Sequence, residues 1–152
     1  MSEIKIATTE DDLLACFEVM HELRPHLTFE NIVSTLTGFR SRGYHLLYIE
    51  DQQFAGTGRR KAVCASGYRF TEHLHWGKAI YIDDLSTLPA YRGKGYAGLM
   101  LQRIFEIARE HTCDEVHLDS GCGPHRYEAH RLYLKTGFNI TSHHFAYRVN
   151  SK

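Results

Sequence analysis

The sequence predicts an α/β (α+β) protein built on one mixed, mostly antiparallel sheet of six to seven strands, with helices on both faces. The hydrophobic patterns follow the order β-α-α-β-β-β-α-β-α-β, which is typical of a sheet with helices packed on it. The segment from residue 79 to residue 119 has the pattern strand, loop, helix, strand, and such a unit forms a right-handed crossover between parallel strands. The chain has 152 residues, 43% of them hydrophobic, which suffices for the core of one domain.

The first part of the chain predicts one strand and two helices. Residues 4–7 are β-prone, and residues 8–11 (Thr-Thr-Glu-Asp) supply the hydroxyl caps and acids that stabilise a helix start. The first helix is expected to end near Pro25. Its apolar stripe at helical spacing consists of Leu13, Leu14, Phe17, Met20 and Leu23. A second, shorter helix over residues 28–36 is expected to stop at Gly38.

The middle of the chain predicts three strands and the clearest helix. Residues 45–49 and 62–70 alternate as strands and are joined by a polar, glycine-containing turn. A longer strand follows over residues 79–88, and a helix over residues 95–111 has one apolar face. The remaining elements are a strand over 115–119, a helix over 125–136 and a final strand over 143–149.

The charges of the chain are balanced, with 18 Lys and Arg against 18 Asp and Glu, beside 11 His. Proteins that bind nucleic acid or membrane surfaces normally carry a basic surplus, so neither partner is expected. No run of about 18 apolar residues predicts a transmembrane helix, and residues 1–15 lack the pattern of a signal peptide. We therefore expect a cytoplasmic protein with a single domain over residues 1–152.

Histidine and cysteine make a metal site worth considering. The four cysteines are Cys16, Cys64, Cys113 and Cys122. They form no CxxC pair and follow no secretory signal, so we expect reduced thiols. Cys113 with His117 and Cys122 with His125 have ligand-like spacing, but zinc sites usually combine two tight pairs from loops or fingers. The two cysteines instead flank a predicted strand, and no metal is expected.

The loop between the long strand and the clearest helix carries the most specific chemical signal. Its residues are Arg92, Gly93, Lys94, Gly95, Tyr96 and Ala97. The glycines allow a close backbone approach to a ligand, and the first N–H groups of the helix are unpaired. With Arg92 and Lys94 they predict an anion cradle suited to a pyrophosphate, the alternative being a tight turn with a solvated basic rim. Neither GxxxxGK[ST] nor GxGxxG is matched, which disfavours a nucleoside triphosphate with magnesium.

Two motifs resemble those of the GNAT superfamily, the Gcn5-related N-acetyltransferases. Residues 92–97 are similar to the signature [RQ]-x-x-G-x-[GA], and residues 83–89 look like the strand that leads into it. Residues 129–138, Ala-His-Arg-Leu-Tyr-Leu-Lys-Thr-Gly-Phe, are similar to the late family pattern A-x-x-x-Y-x-K-x-G-F. The two motifs occur in the family's order and the predicted elements fit, so the resemblance covers nearly the whole chain.

The resemblance implies acetyl transfer from acetyl-CoA, as co-substrate, to an amine. Backbone groups of Leu85, Ser86 and Thr87 would bind the pantetheine arm, and the amides of residues 92–97 would hold the pyrophosphate. A splay between the fourth and fifth strands would admit the co-substrate.

The resemblance also places a general acid at Tyr133, where similar enzymes protonate the CoA sulfur. A phenol with an ordinary pKa near 10 is protonated at neutral pH and can donate. The alternative is an aromatic side chain that packs on the sheet. A backbone N–H near Leu85 would face the thioester oxygen and stabilise its developing charge.

The candidate bases are Asp83 and Asp84. Neighbours on a strand point to opposite faces, so only one of the two is expected to face the cleft. In similar polyamine acetyltransferases an acidic residue two positions before the Leu85 position is a candidate base, which favours Asp83. Asp84 would then support the backbone, or the roles would be reversed; a solvated strand end is the remaining alternative.

Further residues are candidates for the acceptor site. They are Asp119, Cys122 and His125 after the fifth strand, with Glu22, His26, Phe29 and Tyr68 near the first two helices. Arg126 stands where many relatives carry Asn, so a CoA contact, a salt bridge and exposure to solvent all remain open.

We therefore expect an acetyl-CoA-dependent N-acetyltransferase that acts on the primary amine of a small molecule. The lack of an acidic or basic tail favours a metabolite, a polyamine or an aminoglycoside-like amine over a peptide. A protein lysine or N-terminal amine is an alternative acceptor, and a non-catalytic acyl-CoA sensor is an alternative function. Dimers are common among similar proteins, which makes a homodimer a candidate assembly.

Overall fold

Five strands form one sheet in the computed structural model, which describes residues 2–150. Their spatial order is the same as their order in the chain. The strands are β1 (Ile4–Ile6), β2 (Tyr44–Glu50), β3 (Ala62–His73), β4 (Gly77–Thr87) and β5 (Glu115–Leu118). Strands β1 to β4 pair antiparallel, whereas β5 pairs parallel with β4, which confirms the predicted parallel pair.

The helices are α1 (Glu10–Ala15), α2 (Phe17–Leu23), α3 (Ile32–Ser41), α4 (Tyr96–Glu110) and α5 (Tyr127–Thr136). The predicted first helix is thus two helices, interrupted at Cys16, where ψ is −2°. The predicted stop at Gly38 is wrong, since α3 continues to Ser41. A glycine inside a helix costs only about 1 kcal/mol relative to alanine. The chain turns instead at Gly43, whose φ of +94° lies in the region that favours glycine.

Helices cover both faces of the sheet, as predicted. Leu46 and Tyr48 of β2 belong to a buried cluster that also contains Met20 and Ile32 from the helices before β2. Leu47 alternates to the other face and is buried as well. Helix α4 packs against β2, β3, β4 and β5. It buries Met100, Leu101, Ile104, Ile107 and Ala108. Within residues 2–150, no helix has the length and apolar character needed to cross a membrane.

The chain divides after Leu118 into two compact units. The second unit contains a short 3-10 turn over Pro124–Arg126, helix α5 and an extended tail. Residues 143–149, predicted as the final strand, form no strand, so the predicted six to seven strands are corrected to five among the described residues. The tail exposes large apolar side chains, each by at least 81%: Ile140, Phe145, Tyr147 and Val149. An alternating pattern provides the side chains of a strand, but a ladder also needs a partner strand for its N–H and C=O groups.

Candidate active site

A β-bulge at Asp83 sets the direction of two carboxylates on β4. Asp84 pairs with Gly67 of β3 and Ile82 pairs with Tyr68, so Asp83 is an extra residue in the register. A bulge turns the side chains around it away from the regular alternation. Asp83 and Asp84 line the same cavity, and the expectation that only one of them faces the cleft is therefore wrong.

The cavity has a volume of about 360 Å³, within the size range of small-molecule sites. Its walls come from α2 and the segment after it, α3, β2 and β4. Besides the two carboxylates, it is lined by Met20, Arg24, His26, Leu27, Thr35, Leu36, Phe39, Tyr44 and Tyr81. The lining thus contains apolar side chains as well as charged ones, and the carboxylates lie among basic and hydroxyl groups.

Each carboxylate of the cavity is held by an arginine. Asp84 accepts a hydrogen bond on Oδ1 from Arg24 Nε at 2.8 Å and one on Oδ2 from the Tyr44 hydroxyl at 2.8 Å. Asp83 accepts on Oδ2 from Arg69 Nη2 at 2.5 Å, and Arg69 Nε lies 3.0 Å from both of its oxygens. The formal charges of the two carboxylates are thus balanced by the two guanidinium groups.

Tyr44 reaches Asp84 by passing over a glycine. A Cβ at Gly67 would lie 1.8 Å from the Tyr44 hydroxyl oxygen, so any larger residue at this position would displace the tyrosine. Burial, and then the charge of Asp84, raise the pKa of the Tyr44 phenol well above its ordinary value. The phenol therefore stays protonated and remains a donor to the carboxylate.

The edge of β4 that follows the carboxylates pairs on one side only. The parallel ladder with β5 ends at Ile82 and Leu118, whereas β3 still pairs with β4 at Thr87, which is opposite Cys64. Among the described residues, residues 83–87 thus have a strand on the β3 side alone. Leu85, Ser86 and Thr87, to which the resemblance assigns the pantetheine arm, lie in this stretch of β4, and the splay between the fourth and fifth strands stays a prediction.

The loop before α4 has the backbone geometry of an anion cradle. Gly93 and Gly95 have φ values of +76° and +85°, and a Cβ added at either would meet no atom within 4 Å. Gly95 is the N-cap of α4, and no side chain caps the helix. The first-turn N–H groups of this 15-residue helix are thus open to a ligand, and the helix dipole favours an anion there. The loop fits the pyrophosphate of a coenzyme A.

The two basic side chains of this loop are held by weak surface contacts. Arg92 donates to the Thr87 carbonyl at 3.1 Å and lies 3.3 Å from the carboxylate of Glu22. The Lys94 ammonium lies 5.0 Å from the centre of the Tyr91 ring. Exposed ion pairs of this kind contribute at most about 1 kcal/mol, so an incoming phosphate can displace Glu22.

Tyr133 lies in the second unit, where it is buried and contacts Phe138 edge-on at 5.9 Å between ring centroids. Burial raises the pKa of the Tyr133 phenol, and the Arg126 guanidinium offsets part of that shift. Arg126 also donates from Nε to Ser120 Oγ at 3.2 Å. Within this unit Arg126 thus interacts with Tyr133 and Ser120, and a contact with CoA stays untested.

The predicted acceptor-site residues have different positions. His26 lines the cavity, whereas Glu22 pairs with Arg92, Phe29 packs edge-on against Phe17, and Tyr68 is buried in a stack with His45. Three further candidates lie in the second unit: Asp119, which faces His144 at 3.4 Å, Cys122, which is exposed, and His125 in the 3-10 turn.

Arg24, Tyr44 and Arg69 were missed from sequence because each is distant from Asp83 and Asp84 along the chain. The only feature of the sequence that could have drawn attention to one of them is the position of Arg24 immediately before Pro25, where the first helix is expected to end.

The histidines are engaged mainly by aromatic rings and carbonyls. His117 stacks on Trp76 with 3.5 Å between ring centroids and approaches Glu115 to 2.5 Å. His21 Nδ1 lies 2.6 Å from the Leu27 carbonyl oxygen. No cluster of three or more His, Cys, Asp or Glu within residues 2–150 has the arrangement of a metal site.

The chain is similar to known acetyltransferases. The model of the acetyltransferase (GNAT) family matches residues 6–138. The uncharacterized N-acetyltransferase YhdJ of Bacillus subtilis (strain 168) is 30% identical over 146 residues, which cover 95% of this chain and 97% of YhdJ. The thialysine N-epsilon-acetyltransferase of Bos taurus is 28% identical over 76 residues, 49% of this chain and 45% of that protein.

A solved structure shares the fold. The aminoglycoside N-acetyltransferase AAC(6')-Iy in complex with CoA superposes with a TM-score of 0.75 at 12% identity, covering 99% of this chain and 97% of that one. The family match spans most of the chain, including both the loop before α4 and the late motif around Tyr133. The chain therefore belongs to the GNAT family of N-acetyltransferases, for which acetyl-CoA is the acetyl donor.

Proposed function

We propose that this enzyme transfers the acetyl group of acetyl-CoA to the primary amine of a small molecule bound in the cavity beside β4. The observation that carries the proposal is the position of Asp83 and Asp84. Both line the cavity, and both lie at the start of the stretch of β4 that pairs with β3 alone. An amine in this cavity would lie next to the strand that is expected to hold the thioester.

The chain provides backbone groups for the co-substrate. The N–H and C=O groups of Leu85, Ser86 and Thr87 bind the pantetheine arm as a further strand would, and the amides of residues 92–97 bind the pyrophosphate. Arg92 exchanges Glu22 for a phosphate oxygen. A backbone N–H near Leu85 donates to the thioester oxygen as it gains negative charge.

Asp83 accepts the proton of the amine, directly or through water. The amine nitrogen forms its bond to the acetyl carbon, the carbon–sulfur bond breaks, and the nitrogen gives up one proton. The Asp83 side chain is 21% exposed, against 11% for that of Asp84. Among the described residues, the Asp83 carboxylate accepts hydrogen bonds from Arg69 alone. Asp84 is held on each oxygen by a different element, which suits a positioning residue.

Tyr133 supplies the proton that the departing sulfur takes up. Burial raises its pKa, so the phenol is fully protonated at neutral pH. We also propose that the two units form one acetyltransferase domain, because the family match extends from residue 6 to residue 138.

The size of the cavity supports a small acceptor. At about 360 Å³ it suits a metabolite better than a folded protein surface. The relatives named above act on a thialysine and an aminoglycoside, which are small amines.

The test is turnover of acetyl-CoA against a panel of amines, with free thiol release and the mass of the acetylated product as the two readouts. Stoichiometric thiol and product with at least one small amine support the proposal. Binding of acetyl-CoA without thiol release for every amine would instead favour an acyl-CoA sensor, and turnover confined to peptides would favour a protein acetyltransferase.

A further inference from the structure

The cavity lining contains both acidic and basic side chains. Its two carboxylates are each paired with a guanidinium, so it does not present the free negative charge that would attract a polycation. His26 is a further basic residue of the same lining, to which Arg24 also belongs. A ligand that complements this wall carries an anionic group as well as an amine.

Arg24 has the geometry of an anion-binding residue. It follows the last residue of α2, and its Nε and Nη2 donate to Asp84 at 2.8 Å and to the Asp83 carbonyl at 3.1 Å. Its Nη1 forms no hydrogen bond with any residue from 2 to 150. The Arg24 side chain lines the cavity and is 43% exposed. The planar fork of a guanidinium suits a carboxylate, which it can bind through two parallel hydrogen bonds.

The groups for the amine and for the anion are neighbours. Arg24 contacts Asp84 directly and the backbone of Asp83. An amine at Asp83 and an anion at Arg24 would therefore bind to neighbouring groups of the lining. The same lining has an apolar part, formed by Met20, Leu27, Leu36 and Phe39. A molecule that meets these three conditions has an amine, a nearby carboxylate and an apolar side chain.

We propose that the acetyl acceptor is an α-amino acid with an apolar side chain, whose carboxylate binds Arg24 while its amine is directed to Asp83. This inference rests on the proposed function and adds the class of acceptor. Arg24 is then the residue that selects amino acids over simple amines. The apolar part of the lining contacts the side chain of the acceptor.

The experiment compares amino acids with their decarboxylated counterparts. Leucine, methionine and phenylalanine are each paired with the amine that lacks only the carboxylate. The wild-type enzyme should show kcat/KM about 10- to 100-fold higher for each amino acid, the range of a charge-assisted bidentate contact. Arg24→Gln should remove that advantage, mainly through KM, so that kcat/KM falls about 10- to 100-fold more for each amino acid than for the simple amine paired with it. Arg24→Lys, which keeps the charge but loses the fork, should restore part of it.

A matched control is Arg103→Gln. Arg103 is also ion-paired and 36% exposed, but it lies on α4 and does not line the cavity. This variant should behave as wild type, and thermal melts of all variants show whether the fold is retained. If Arg24→Gln does not fold, the proposal is tested by the wild-type preference for amino acids over simple amines and by the smaller preference expected of Arg24→Lys.

The outcomes separate the two proposals. Equal or better turnover of the simple amines by wild type overturns the amino-acid proposal and leaves the proposed function standing, as does an equal loss for both acceptors in Arg24→Gln. If the enzyme acetylates other amines but neither the amino acids nor their decarboxylated counterparts, the amino-acid proposal is also overturned and the proposed function stands. Absence of thiol release with every amine tested overturns the proposed function itself.

Discussion

The loop before α4 and the cavity beside β4 are two neighbouring parts of one enzyme with different construction. The loop is six consecutive residues, and the groups proposed to bind the donor are backbone amides. The cavity combines side chains from α2, α3, β2 and β4, with Arg24 and Asp84 separated by 60 positions. A site made of backbone is encoded locally, whereas a site made of side chains depends on how distant segments pack.

The difference has a functional consequence. Every member of an acetyl-CoA-dependent family binds the same donor, so the loop has one task. The acceptor cavity can change by single substitutions at separate places in the chain. Substitutions in the loop should therefore affect donor binding, and substitutions in the cavity should affect the choice of acceptor or the proton transfer.

The largest effect is expected from Gly95→Glu. A carboxylate in the cradle repels the pyrophosphate, and the φ of +85° strains any larger residue. Like-charge contacts cost several kcal/mol, so acetyl-CoA affinity should fall at least about 100-fold by calorimetry. Gly56→Glu is the matched control, because Gly56 has a φ of +77°, the same open surroundings and a place in the β2–β3 loop. Unchanged affinity in Gly95→Glu would contradict the assignment of the cradle.

The next effect is expected from Tyr133→Phe. Loss of a general acid should lower kcat by about 10- to 1000-fold and leave acetyl-CoA affinity unchanged. Tyr127→Phe, an exposed tyrosine on the same helix, is the control. Because burial raises the pKa of Tyr133, the phenol stays protonated to a pH above its ordinary value near 10. A loss of kcat that titrates with this tyrosine well below pH 10 would be inconsistent with that environment.

The two carboxylates should differ from each other. Asp83→Asn should lower kcat by about 10- to 100-fold with a small change in KM, as expected for a lost base. Asp84→Asn should act mainly on KM, because it releases Arg24 and Tyr44. The exposed Asp11, changed to Asn, serves as control. Full rates in both substituted enzymes would remove these residues from the chemistry, and the reverse pattern would exchange their roles.

The smallest effect on turnover is expected from Asp12→Asn, which belongs to neither region. Asp12 accepts hydrogen bonds from the Thr8 and Thr9 N–H groups, the Tyr48 hydroxyl and Arg60, at 2.8–2.9 Å. The substitution should lower the free energy of unfolding by about 2–4 kcal/mol, measured with denaturant, with kcat of the folded enzyme retained. A strong loss of kcat in the folded Asp12→Asn protein would contradict this prediction, because it would show that Asp12 contributes to turnover as well as to stability.

Asp12 also predicts a pH dependence of stability. Burial opposes its ionisation, but the hydrogen bonds from Thr8, Thr9, Tyr48 and Arg60 outweigh burial and hold its pKa well below the ordinary value. Its contribution is therefore fully present above the unfolded pKa near 4 and is lost as the pH falls toward the folded pKa. Between about pH 5 and pH 2 the wild type should lose more stability than Asp12→Asn, and parallel curves for the two proteins would contradict this.

The fold was predictable where local patterns decide it. The order of the elements, the antiparallel strands and the parallel partner of β4 follow from periodicity and from the crossover rule. The errors occurred where a local signal depends on its surroundings. Gly38 does not end its helix, and residues 143–149 have the alternation of a strand without a partner in the structure.

The sequence by itself determined the backbone conformation of the loop before α4, because glycine spacing and a helix start act through the backbone of adjacent residues. It also identified Asp83 and Asp84 as neighbours of that loop. Only the tertiary structure decided that both carboxylates line one cavity, that Arg24 and Arg69 pair with them, and that Tyr44 donates a hydrogen bond to Asp84. A one-residue bulge in β4 and the packing of α2 over the sheet bring these groups together. Such contacts depend on register and packing between distant segments, which no local spacing records.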